Sequence, residues 1–241
     1  MIAAAIAVLV GLFGYGAWRK TRAPQEITDP HGGEKMESYA PIENTFGVIE
    51  NFWKRELPLF SGQPFPETEH RSPTGPRVSS SYSKGKVEGP EYCRIDQRTY
   101  IDLNYFLGLN NDLAVRFSLA HLAGHHVQAI LDPDRYRHFE KLREEGRDPD
   151  KVLEQYELQA DFYAGMYLKD TFSKLKPEEV KKALQVIKDH CMGLFKGSVV
   201  LDRLDQGDID LRVQWIMKGY HAKRIRDGNT FHAKDPTHPA G

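Results

Sequence analysis

The chain has almost no cysteine. Cys93 and Cys191 are the two present among 241 residues, they stand far apart, and neither belongs to a CxxC pair, which excludes a disulfide framework and a thiolate zinc site. They could pair once or not at all, and two partly buried free thiols are the expected state. An excess of either charge is equally lacking, since 33 basic side chains face 34 acidic ones for a net charge of -1. With no basic stripe, no interleaved aromatics and no glycine-rich phosphate loop after a strand, nucleic acid is not an expected partner. Internal repeats are missing too. What remains, 40% hydrophobic and 28% charged residues, fits one globular domain with terminal extensions.

Long apolar runs are missing with one exception. Ile2 to Trp18 is an uncharged stretch of 17 residues, at the short end of the roughly 17 to 25 that cross a bilayer. The bases Arg19, Lys20 and Arg22 follow it and none precedes it, the reverse of a cleavable signal peptide. Residues 1–20 are therefore expected to form an uncleaved transmembrane anchor, with the membrane as a partner. A soluble core helix is the alternative, but a segment apolar on every face needs burial all round. The basic flank assigns the domain to the cytoplasmic side. Residues 21–40, with Pro24, Pro30, Gly32 and Gly33, read as a flexible tether, and residues 227–241, with Pro236 and Pro239, as a disordered tail.

Between them, residues 41–226 read as an α+β domain that is mostly helical. Ile42, Phe46, Ile49, Phe52 and Trp53 recur at helical spacing until Leu57, where Pro58 is expected to stop the helix. Residues 61–91, dense in proline and glycine, suggest turns and short extended pieces, and the alternation from Tyr92 to Leu103 allows one or two short strands. The strongest helix is Asp112 to Leu131, capped by Asn111 or Asp112, with Leu113, Phe117, Ala120, Gly124 and Val127 as its inward stripe. Further helices are expected from Pro133 to Glu145, Pro149 to Asp170, Pro177 to Cys191 and Ile209 to Tyr220.

His121 and His125 lie four apart inside that strongest helix, so both imidazoles leave one face a turn apart and can grip one ion. Alone, an HxxxH spacing is equally met as a solvated or core histidine pair. Glu157 and Asp161 repeat the four-residue spacing on a later helix, where one carboxylate can complete a two-histidine set and the other can accept from the far nitrogen of a ligand histidine. A solvated acidic face is the plain alternative. Against it, Ala160, Ala164 and Gly165 are small, as needed where one helix packs closely on another.

The string from Ala120 to Gln128, AHLAGHHVQ, resembles the HExGHHVQ helix of the neutral zinc metallopeptidases, and Glu-Leu-Gln-Ala-Asp at 157–161 resembles their second motif. The resemblance runs over roughly residues 42–220 and implies a zincin-like domain with a small sheet before the HxxxH helix. It implies zinc as cofactor, His121, His125 and Glu157 as its ligands, and Asp161 behind one histidine. His126, Gln128, Gln206 and Arg212 become candidates for the cleft. It also implies an exported domain, against the charge of the anchor's flank.

Two departures bear on activity. The family's general base, the glutamate after the first histidine, takes a proton from the attacking water and passes it to the leaving amine. Here that position is Leu122, which can do neither, at a typical loss of about 10² to 10⁴ in rate. Near Arg212 and Trp215, Gln206 stands where the family has a histidine and Leu211 where it has a glutamine. Phe162 takes the place of a family cysteine, which agrees with a reducing compartment. The expected function is a membrane-anchored pseudopeptidase, a pseudoenzyme that binds a peptide or protein in its former cleft. An active enzyme using His126, Glu154 or Asp161 as base is the first alternative, and a purely structural helical domain the second.

Overall fold

The computed structural model describes residues 36–71, 90–93, 97–101, 103–134, 141, 144–146, 149–194 and 206–229. The expected anchor and most of the tether lie outside these residues, and no helix among the described residues is long and apolar enough to cross a membrane.

Helix α1 (Met36–Ser61) begins within the expected tether and buries Ile42, Phe46, Ile49, Trp53 and Leu57 along one face. Pro58 does not stop it. A proline in the last turn removes only one N–H, and Phe60 beyond it packs against the core. The helix ends instead at Gly62, whose φ of +72° suits a residue without Cβ and whose N–H donates to the Pro58 carbonyl at 2.9 Å.

Strands β1 (Glu69–Arg71), β2 (Glu91–Cys93) and β3 (Arg98–Tyr100) form a sheet in the order β1-β3-β2. The central β3 runs parallel to β1, with Glu69 opposite Arg98, and antiparallel to β2, with Glu91 opposite Tyr100. β2 and β3 are the strands expected before the HxxxH helix; β1 comes from the segment read as turns and short extended pieces. Strands of three residues have no independent stability, and the sheet persists because β2 lies on the long helix that follows.

After the short α2 (Leu103–Gly108) comes that helix, α3 (Asp112–Leu131), capped by Asn111, whose side chain accepts from the Ala114 N–H. The single inward stripe expected for α3 is a correction: Ala114, Leu119, Leu122, Ala123, His126 and Ala129 are buried as well as Phe117, Gly124 and Val127. The cause is its position, with α1, β2 and two later helices packed around it. The helix expected over 133–145 falls largely outside the described residues.

Helices α4 (Pro149–Thr171), α5 (Pro177–Leu194) and α6 (Gln206–His221) complete the domain, close to the expected bounds. α4 and α6 meet backbone to backbone: a Cβ on Gly165 would lie 2.0 Å from the Ile216 carbonyl oxygen, and one on Gly219 would lie 1.9 Å from that of Phe162. A 3-10 turn, Ile225–Gly228, then sets Gly228 against the Phe162 ring, so the described fold extends past residue 226. Cys93 is buried and Cys191 partly buried, and neither is part of a disulfide.

Candidate metal centre

α3 and α4 cross at a point where neither has side chain between the backbones. A Cβ on Gly124 would lie 2.7 Å from the Ala160 carbonyl oxygen, a separation real side chains do not tolerate. One turn from this contact, His121 and His125 on α3 face Glu157 and Asp161 on α4. The small residues predicted a close helix contact; they divide between two, with Ala160 facing α3 and Gly165 facing α6.

His121 Nε2, His125 Nε2 and a Glu157 carboxylate oxygen converge. The two Nε2 atoms are 3.0 Å apart, His121 Nε2 is 3.1 Å from Glu157 Oε2 and His125 Nε2 is 3.6 Å from it. Ligands about 2.0 to 2.1 Å from a tetrahedral zinc stand about 3.3 to 3.4 Å from one another, so these three edges bracket the required size. Nitrogen and oxygen donors of this kind suit zinc, and the cluster is compatible with zinc binding.

Behind the cluster, His121 Nδ1 donates to Asp161 Oδ1 at 2.8 Å. Asp161 is fully enclosed and is gripped from its other side by Arg212 of α6, Nε to Oδ2 at 2.7 Å and Nη2 to Oδ1 at 2.8 Å. Arg212 in turn lies over the Phe117 ring, 5.6 Å from its centroid. Burial alone would raise the Asp161 pKa, but the charge and hydrogen bonds of Arg212 together with those of His121 outweigh it and hold the carboxyl below its ordinary value. Glu157, though 54% exposed, loses some of its water at the cluster, and the imidazoles of His125 and His121 outweigh that loss and hold it well below the ordinary range. Burial would lower the His121 pKa; its bonds to Asp161 and Glu157 prevail and raise it to about 9. The donor set is thus built to carry positive charge.

The four cleft candidates part company. Arg212 reaches the centre through Asp161, and Gln128, buried, lies 2.9 Å from His125 Nδ1 through its Oε1. His126 is engaged elsewhere: buried, it donates from Nε2 to the Pro66 carbonyl, pairs through Nδ1 with the Tyr92 hydroxyl, and meets the Phe65 ring edge-on. It ties the sheet and the segment before β1 to α3. Gln206 opens α6, and its side chain lies outside what the structure describes. Leu122 is 4% exposed and part of the apolar core.

Sequence reasoning missed Phe117, whose ring lies 5.9 Å from that of His121, and Gln159, whose Oε1 accepts from Gln128. Gln159 stands inside the Glu-Leu-Gln-Ala-Asp string, so a signal for it was present. Phe117 gave none beyond its apolar spacing.

Comparison with known proteins agrees with this geometry. Residues 76–231 match the model of a family described as "putative neutral zinc metallopeptidase". The uncharacterized protein YpfJ of Escherichia coli strain K12 is 30% identical over 158 residues, and so is its counterpart in the O6:H1 strain CFT073. Each alignment covers 60% of this chain and 55% of the relative, so the chain spans about half the length of the curated relatives it matches. No solved structure matches the chain.

Proposed function

Because the chain belongs to the neutral zinc metallopeptidase family, we propose that it is a catalytically silent, membrane-anchored member that keeps its zinc and holds a peptide or protein segment in the former cleft. The convergence of His121, His125 and Glu157 beside a buried leucine carries this reading. A bound zinc would supply a Lewis acid able to polarise a carbonyl oxygen presented at the open side. Nothing in Leu122 can take or return a proton.

The two substitute bases whose bonding is described are committed elsewhere, which favours silence over an active enzyme. Asp161 is enclosed and shared between His121 and Arg212, and His126 is buried between Tyr92 and Pro66. The fold class fits a zincin-like domain, in which the sheet and α3 border a groove for an extended segment. Residues 1–20 would supply the anchor. The flank of Arg19, Lys20 and Arg22 favours a cytoplasmic domain and the family resemblance an exported one; protease protection in sealed vesicles separates the two.

Metal analysis and a peptidase assay test the reading together. The full chain should carry about one zinc, cleave no peptide, and gain chelator-sensitive cleavage of at least about 100-fold over background in the Leu122→Glu variant. Robust wild-type cleavage abolished by chelator would establish the active alternative. Metal-free protein whose stability ignores both chelator and His121→Ala would leave only the structural one.

A further inference from the structure

Gln128 decides which nitrogen of His125 carries the proton. Its Nε2 donates to the backbone carbonyl of Tyr156 at 2.7 Å and to Gln159 Oε1 at 3.0 Å, both on α4. A backbone carbonyl only accepts, so the amide nitrogen must face α4 and Oε1 must face His125. An amide oxygen likewise only accepts. The 2.9 Å contact between Gln128 Oε1 and His125 Nδ1 therefore requires N–H at Nδ1, and a neutral imidazole protonated there has a bare Nε2. That bare nitrogen is the one directed at His121 Nε2 and Glu157.

We propose that Gln128 is a positioning residue for the metal centre: oriented by the Tyr156 carbonyl, it fixes His125 in the Nδ1–H form and aims its Nε2 lone pair at the ion. The inference rests on the zinc-site reading above. It gives the two histidines different supports, a charged carboxylate behind His121 and a neutral amide behind His125, and so avoids a second buried negative charge beside Asp161. It also joins the two motifs: the glutamine three residues after His125 and the glutamine two residues after Glu157 are bonded to each other, so α3 and α4 set the ligand geometry jointly.

Partners behind ligand histidines typically account for about ten- to a hundredfold in metal affinity. In the full chain in detergent, competition with a chromophoric chelator should show zinc held about ten- to a hundredfold more weakly by Gln128→Met, which keeps side-chain length and removes the acceptor. Gln128→Glu keeps an acceptor for Nδ1 but sets its second oxygen against the Tyr156 carbonyl and Gln159 Oε1, so it should recover only part of that loss while His125 stays protonated on Nδ1, which a mere packing role would not require. Long-range 15N–1H spectra of metal-free wild type should show His125 protonated on Nδ1, a pattern lost in Gln128→Met. Wild-type affinity in Gln128→Met, or an Nε2–H tautomer in the wild type, would overturn the proposal. If the wild type takes up no zinc, the metal reading falls, while the tautomer spectrum still decides this inference. The same spectrum decides it if Gln128→Met fails to fold.

Discussion

Glu157 and Asp161 stand one turn apart on the same face of α4, yet the first side chain is 54% exposed and the second fully enclosed. Depth divides their labour. Asp161 has both oxygens committed, to His121 on α3 and Arg212 on α6, and works as the fixed point between three helices. Glu157 touches the imidazoles with one oxygen while much of its side chain meets solvent, the condition for a ligand that must accept an incoming ion. Identical chemistry at identical spacing is a buttress when buried and a donor when open.

Removing each acid in turn sets the contrast at its widest. Asp161→Ala leaves Arg212 charged, buried and alone, and should cost about 3 to 5 kcal/mol in urea unfolding. Glu157→Ala should cost the metal-free protein less than about 1 kcal/mol, as for other exposed ion pairs, while removing zinc binding. Equal losses from the two variants would erase the distinction between them.

A smaller effect should come from the crossing that presents both acids to α3. Gly124→Val drives side-chain carbon into the Ala160 carbonyl, 2.7 Å from where the Cβ must sit. Overpacking of this kind typically costs about 1 to 3 kcal/mol, and here it should also weaken zinc binding, because the histidines move off α4. Thermal unfolding together with metal competition reads both.

A further effect, which needs no substitution, is expected with pH. The His121 pKa is raised to about 9 in the fold by its bonds to Asp161 and Glu157, which overcome burial. A raised pKa contributes stability that is complete below the unfolded value, about 6.5, and is lost as pH rises through the folded one. Metal-free protein should therefore lose stability between about pH 6.5 and pH 9. Glu157→Gln should shift that loss to lower pH, since one of the two supporting charges is gone, and a profile flat across this window in metal-free protein would contradict the assignment.

The two pairs of the cluster were legible because a four-residue interval places two side chains on one face of any helix, whatever surrounds it. His121 with His125 and Glu157 with Asp161 needed no tertiary knowledge. Arg212 was visible as a cleft candidate but not as the partner of Asp161, from which it is 51 residues distant; only the α4 to α6 contact at Gly165 and Gly219 joins them. His126 shows the opposite failure. Adjacent to a ligand in sequence, it leaves the helix about 100° further round, and that rotation carries it to Tyr92 and Pro66 instead of the cluster. Strand β1 is one of the short extended pieces expected over 61–91, but its place was not legible because three residues amid proline and glycine carry no periodicity; pairing with β3 defines it. For α3, an apolar stripe was expected and burial on nearly every side was found, since a central helix takes neighbours from all directions.

Phe162 is closely enclosed: its ring is seated on Gly228 and its own carbonyl on Gly219. A cysteine at 162 would trade a large aromatic for a small side chain and open a hole beneath the C-terminal turn, a change whose usual cost is about 3 to 5 kcal/mol for the fullest truncations. Position 228 would have to grow as 162 shrank. The two sites behave as a plug and its socket, and neither can change size without the other answering it.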